Sequence, residues 1–150
     1  MALLSRKADY ALLILAYLHH RPEGGCAREI AARFGLKPAF AANVLKLLCR
    51  RGLVKSHRGV HGGYALAKPA REIALSELLD QLGEPFHLAD CNRGPGPSPC
   101  SLEDVCPVRG AIAEVDRRIR EVLRAVTLAE LVGPPQAQEC TQYGLEVLHR

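Results

Sequence analysis

The chain has 150 residues, 48% hydrophobic and 24% charged, with 5% aromatics and no Trp, which describes one soluble globular domain, with or without an extension, built on an aliphatic core. Its formal net charge of +4 is unevenly placed: residues 1–70 carry 12 Lys/Arg against 3 Asp/Glu, and residues 71–150 carry 8 against 13, which suits a polyanion-binding half joined to a part with another task and, on charge alone, suits a generic solvated surface equally. No secretory signal is evident, and the apolar run 8–18 is broken by Asp9 and too short to span a membrane. A cytoplasmic setting is therefore expected, in which six cysteines serve metal or redox chemistry rather than a disulfide framework.

The first predicted element is a helix over residues 5–20, apolar on most sides and central to the core; His19 and His20 end it where cations suit the helix dipole. After a turn at 21–25 a short amphipathic helix covers 27–35, with Ile30, Ala31 and Phe34 inward and Gly35 as its stop. The next helix takes Pro38 in its first turn and runs to about Arg51, burying Val44, Leu45, Leu48 and Cys49 before Gly52 ends it. Two helices this close make a helix-turn-helix. The stretch LVKSHRGVHGGYALAK then predicts a β-hairpin whose tip carries Gly59, Gly62 and Gly63, which is the wing of a winged helix.

Residues 73–83 predict a short helix with Ser76 as N-cap and Gly83 as its end. A cysteine-rich loop follows. A long helix is expected over 108–126, its apolar positions Val108, Ala111, Ile112, Val115, Ile119, Val122, Leu123 and Val126 recurring at three- and four-residue steps. The run TLAE at 127–130 has the form of a capping box that opens one more short helix, and a tail begins after Gly133. The expected fold is mainly α with a small β-hairpin wing. It divides into a winged-helix DNA-binding region (1–83), a cysteine loop (84–107), the long and closing helices (108–132) and a tail (133–150).

In a helix-turn-helix the second helix presents its N-terminal residues to the major groove. Here that edge offers Lys37, Ala39, Phe40 and Asn43, with Lys46 one turn on; Asn can read adenine, and Ala or Phe can meet a thymine methyl. The wing offers Arg58, Gly59, His61, Gly62, Gly63 and Tyr64, with Lys55 and His57 beside them, and Arg58 is placed for a phosphate or minor-groove contact. Ser5, Arg6 and Lys7 open the first helix, where exposed N–H groups favour phosphate. Singly, each is as well explained as a solvated polar group; together they describe a surface for double-stranded DNA.

Cys91, Cys100 and Cys106 follow the spacing C-x8-C-x5-C in the loop DCNRGPGPSPCSLEDVCP. Such a loop can wrap an iron–sulfur core; three thiolates and one other ligand also satisfy zinc; a metal-free disulfide switch is the third reading. Spacing alone ranks them in that order. His87 and Asp90 flank the loop as further donors, although Asp90 also suits a capping or solvated carboxylate. Cys49 reads as core, Cys26 lies at a helix start, and Cys140 as a tail thiol. No nucleophile–base pair, phosphate loop or paired carboxylate stands out, so an enzyme is not expected.

The segments SRKADYAL, VKSHRGVHGGYALAKPA, the cysteine triplet followed by CPVR, and TLAELV resemble the Rrf2 family of bacterial winged-helix regulators over residues 2 to about 132. Its members include IscR and NsrR, and the first two segments are most similar to the regulator of the SUF cluster-assembly system. The resemblance implies a homodimer held by the long helix, a pseudo-palindromic operator, and a cluster, 2Fe–2S or 4Fe–4S, ligated by Cys91, Cys100 and Cys106. In IscR-like members a histidine three residues after the last cysteine completes the site, and here Arg109 stands there. In NsrR-like members an aspartate near the start of the first helix of the partner subunit does so, and Asp9 matches it. An acidic residue on an apolar helix is costly unless paired, which suits a ligand; service to the helix dipole is the alternative.

Two functions are thus expected to compete: a repressor controlled by a cluster that senses iron or cluster status, redox state or nitric oxide, and a structural-zinc or thiol-switch protein whose basic half binds a protein.

Overall fold

The computed structural model describes residues 4–59, 62–94 and 100–133. Six α-helices and one two-stranded antiparallel sheet lie along these residues in the order α1 (Arg6–His19), α2 (Ala27–Phe34), α3 (Pro38–Arg50), β1 (Val54–His57), β2 (Gly63–Leu66), α4 (Leu75–Gln81), α5 (Arg109–Ala125) and α6 (Leu128–Val132). Short 3-10 turns at Ala70–Glu72 and Asp90–Asn92 link them. This is the winged helix expected from the sequence, followed by a long helix. His61 and everything expected after Gly133, Cys140 included, lie outside the described residues.

The core is aliphatic. Ala8, Ala11, Ile14, Leu15 and Leu18 form a buried stripe along α1 at helical spacing. Ile30 of α2, Val44, Leu45 and Leu48 of α3, and Leu78 and Leu79 of α4 close around it. Each such side chain contributes roughly 1.5–3 kcal/mol by leaving water. Phe34 and Cys49, expected inside, are half-buried at the rim of this cluster, and burial pushes the Cys49 thiol up from its ordinary pKa.

One helix start differs from expectation. The N-cap of α4 is Ala74, with Ser76 inside the first turn. A side-chain cap is not needed there, because Leu75 N–H donates to the Val126 carbonyl at 2.9 Å and Leu128 N–H to the Ile73 carbonyl at 2.8 Å. These bonds flank a bridge between Ala74 and Thr127, so the end of α5 is sewn to the start of α4. At α2 the cap is Cys26: its sulfur accepts from Glu29 N–H at 3.4 Å, and Glu29 Oε2 accepts from Cys26 N–H at 2.9 Å. The capping box expected at Thr127 and Glu130 is present.

The closing helix does not stand apart from the DNA-reading part. Leu128 is 1% exposed within the same core as α1. Along α5, by contrast, Asp116 is the single buried residue.

Candidate nucleic-acid interface and cysteine site

The turn between α2 and α3 is set by Gly35, whose φ of +63° ends α2 in the left-handed region. Leu36 N–H donates back to the Ala31 carbonyl at 2.8 Å, and Lys37 then opens α3 without a side-chain cap. Lys37, Ala39, Phe40, Asn43 and Lys46 are all exposed on the outer side of α3, as a base-reading edge requires. Phe40 has a second role: its ring meets Tyr10 edge-on at 5.0 Å while 38% of its surface stays open, so it joins α3 to α1 as well as facing outward.

The wing pairs Val54 with Leu66, Lys55 with Ala65, Ser56 with Tyr64 and His57 with Gly63. Arg58 and Gly59 at its tip are exposed, and Gly62 N–H closes the turn on the Gly59 carbonyl at 2.8 Å. Tyr64 sits differently from the tip residues. It is half-buried against the core and its backbone pairs with Gly25, so it fixes the wing to the body.

At the start of α1, Ser5 accepts from Ala8 N–H at 3.1 Å and donates to Glu84. Lys7 pairs with Glu84 at 2.8 Å and donates to the Leu82 carbonyl at 2.8 Å. These two residues pin α1 to the end of α4, whereas Arg6 is exposed. Behind the wing, a groove of about 600 Å³ is lined by His19, Arg21, Lys55, His57, Lys68 and Arg71, with Glu23 the acidic residue on its wall. Lys68 is paired with Glu77 at 2.6 Å, and burial, then His20, lowers the pKa of His19. Lys55 and His57 alternate along β1, which signals one shared face; the groove itself depends on tertiary packing.

Cys91 lies in the turn Asp90–Asn92, half-buried, with its thiol 3.6 Å from Asn92 Oδ1. Cys100 and Cys106, also half-buried, bracket a run of turns that Arg109 closes by an ion pair to Glu103. Arg109 therefore fastens the far side of the loop. Of the flanking donors, Asp90 pairs with Arg93 at 2.7 Å and His87 Nδ1 lies 3.0 Å from the Pro85 carbonyl. Asp9 is exposed in the first turn of α1, so the burial cost that seemed to demand a partner does not arise.

Among the described residues no three Cys, His, Asp or Glu side chains are grouped closely enough to hold a metal, and residues 95–99, which join Cys91 to Cys100, lie outside them. The donor chemistry nonetheless suits a soft centre: three half-buried thiols on one short loop, none in a disulfide.

Sequence reasoning missed what holds this loop. Asp116 on α5 is 5% exposed. It accepts from Leu88 N–H at 2.6 Å and faces Arg120 Nε at 2.6 Å, close but poorly aligned for a hydrogen bond. Arg120 in turn donates through a terminal nitrogen to the Asn92 carbonyl at 2.6 Å, and Asn92 Nδ2 donates to the Ile112 carbonyl at 3.4 Å. A cavity of about 400 Å³ opens beside Cys91, walled by Arg117, Arg120 and Arg124.

Comparison with known proteins points one way. The family model for Rrf2, iron-dependent transcriptional regulator, matches residues 4–134. Protein aau3 of Rhizobium meliloti is 32% identical over 130 residues, covering 86% of this chain and 84% of that protein. The rrf2-like protein of Rhodobacter capsulatus is 30% identical over 91% of this chain and 97% of its own length. Among solved structures, CymR of B. subtilis, the global cysteine regulator, superposes with a TM-score of 0.68 at 25% identity, covering 88% of this chain and 97% of that one. IscR of T. potens does so at 0.63 and 29%, covering 86% and 85%.

Proposed function

Since the chain belongs to the Rrf2 family of transcriptional regulators, and is not an enzyme, we propose that it is a homodimeric repressor whose grip on a pseudo-palindromic operator is set by an iron–sulfur cluster. The observation that carries this reading is the position of the three thiols: Cys91, Cys100 and Cys106 lie on the loop between the winged helix and α5, and the Cys91 turn is bonded directly to α5. In this reading residues 1–83 read DNA, 84–107 hold the cluster and 108–132 build the dimer and close the fold.

Cys91, Cys100 and Cys106 would hold the cluster, with Asp9 of the partner subunit as fourth ligand; being exposed in the first turn of α1, Asp9 is available to another chain. When bound, the cluster supplies a centre sensitive to iron supply, oxidation or nitric oxide. The chain's own residues do the rest. Lys37, Ala39, Phe40, Asn43 and Lys46 face the major groove, Arg6 and the tip residues Arg58 to Gly63 take backbone or minor-groove contacts, and Ser5, Lys7 and Tyr64 keep these elements in register. A cluster can bias DNA binding only if it binds the competent and incompetent arrangements with different free energy. Bridging two subunits would supply that difference.

Anaerobic purification, with iron and sulfide counted alongside the visible spectrum, tests the proposal. A colourless chain that takes up neither after reconstitution would refute it, and the ratio of iron to sulfide to protein separates 2Fe–2S from 4Fe–4S.

A second reading is favoured by the likeness to CymR, whose name ties it to cysteine: the same thiols would act without metal as a disulfide switch. It predicts normal operator binding by iron-free protein and a change on mild oxidation that dithiothreitol reverses.

A further inference from the structure

Asp116 is the single buried charged residue among the described ones, and neither the core nor the DNA-reading surface uses it. Its bonds all serve one turn. Residues 88 and 92, on the two sides of Cys91, are tied to Ile112, Asp116 and Arg120 of α5. These three stand four residues apart, one row along a helix face. The exposed stripe Val108, Val115 and Val122 runs about 100° round the same helix.

We infer that Asp116 and Arg120 are positioning residues for Cys91: they clamp its turn to α5, so that displacement of the thiol is passed to the helix and from there to the DNA-reading part. The geometry gives the clamp its stiffness. Arg120 bridges a buried carboxylate and a backbone carbonyl with one planar group; losing Arg120 would leave that carboxylate an unpaired buried charge, and losing the Leu88 amide would leave one of its oxygens unsatisfied. The route onward is also backbone: the end of α5 is bonded to α4 through Leu75 and Val126. The inference rests on Cys91 being the sensing residue, but not on the identity of what it senses.

The test is a double-mutant cycle on the metal-free, reduced full-length protein. The readout is Kd for a duplex that the wild-type protein selects from a random-sequence pool. Cys91→Phe replaces a half-buried thiol with a far bulkier ring, which must press on the turn or on the arginines that wall the neighbouring cavity. Arg120→Lys keeps a cation beside Asp116 but cannot reach the Asn92 carbonyl at the same time. Cys91→Phe alone is expected to change Kd by about tenfold, and by less than twofold in the Arg120→Lys background, with Arg120→Lys alone near wild type. Hydrogen exchange adds a local readout: the Leu88 amide, protected by Asp116, should exchange at least tenfold faster in Asp116→Asn, with the amides of α1 unchanged.

Equal shifts in both backgrounds, or no shift from Cys91→Phe at all, would overturn the inference, as would a Leu88 amide indifferent to Asp116→Asn. Iron and sulfide counts on the wild-type protein judge the cluster reading separately, since coupling can be present in a chain that binds no iron.

Discussion

Gly25 and Tyr64 exchange both of their backbone hydrogen bonds, Gly25 N–H to the Tyr64 carbonyl at 3.0 Å and Tyr64 N–H to the Gly25 carbonyl at 2.9 Å. A segment after α1 thereby becomes a short third rung beside β2. Room for this exists because the residues there lack side chains: a Cβ on Gly25 would stand 2.6 Å from the Tyr17 ring, and one on Gly24 2.6 Å from the Tyr64 carbonyl, at a φ of +86°. Gly24→Ala is therefore expected to cost about 2 kcal/mol or more, since crowding and left-handed backbone strain add. Gly35→Ala, whose Cβ would meet nothing within 4 Å, should lose about 1 kcal/mol from backbone strain alone. Urea unfolding of the two variants checks the order.

DNA affinity should respond differently to the two reading elements. Arg58→Ala is expected to weaken binding to all sequences alike and to flatten the dependence of log K on log salt by about 0.9 if it removes one phosphate contact. Asn43→Ala should leave that slope unchanged and relax preference at one base pair, at about 1–3 kcal/mol. Fluorescence anisotropy titrations at four salt concentrations separate the outcomes; a slope unaltered by Arg58→Ala would remove it from the phosphate-contacting set.

The stripe on α5 predicts how copies associate. Val108, Val115 and Val122 are 55%, 44% and 61% exposed at seven-residue intervals, an apolar seam of the kind that pairs helices. Val115→Asp combined with Val122→Asp should yield a monomer in sedimentation velocity while the circular dichroism of the winged helix stays intact. A dimer that survives both charges would place the interface elsewhere.

The outer side of the same helix carries a pH-sensitive trio, Glu114 with Arg117 and Arg118. Hydrogen bonds from Arg117 first, then Arg118, hold the Glu114 carboxyl well below its ordinary 4.5, down to about 2. A carboxyl depressed in the folded chain stabilises it above the unfolded value, and that contribution fades as pH falls from 4.5 toward about 2. Arg117→Ala should move the Glu114 carboxyl resonance to a higher titration midpoint in NMR, by a margin that shrinks in high salt because these side chains are exposed.

Cys26 should behave as a structural residue. Its sulfur caps α2, and Ser is the better capping atom for the same place, so Cys26→Ser should keep or raise the melting temperature, while Cys26→Ala costs about 1 kcal/mol. Neither change should alter iron content, which distinguishes this thiol from Cys91.

The fold was largely legible because its signals are local. Helical spacing in α1, the Gly35 turn, the glycine-rich wing tip and the Thr127–Glu130 box each act within a few residues. What escaped was non-local. Ser76 looked like a cap, but the backbone of Val126, fifty residues later, had already satisfied the start of α4. Asp116 reads as one more charge on the polar side of an amphipathic helix, and only its meeting with Leu88 and Asn92 makes it a buried clamp. At Asp9 only the burial argument fails, since its apolar neighbours suggested burial where the helix start is open to water. For the cysteines, spacing supplied the donor types but not their mutual placement.

The strap between Leu75, Ile73 and the residues just after α5 turns that helix into a lever with a fixed fulcrum. Its C-terminal end is sewn to the body through two backbone bonds, while Val108 and Gly110 at the other end stand exposed. At about 1.5 Å per residue the arm is roughly 25 Å long, so a tilt of about 5° at the fulcrum carries the far end roughly 2 Å. Small events near the cysteines would be magnified along this arm before they met a second copy. In a dimer two such arms would set the span between the wings, which must match half-sites about 34 Å apart.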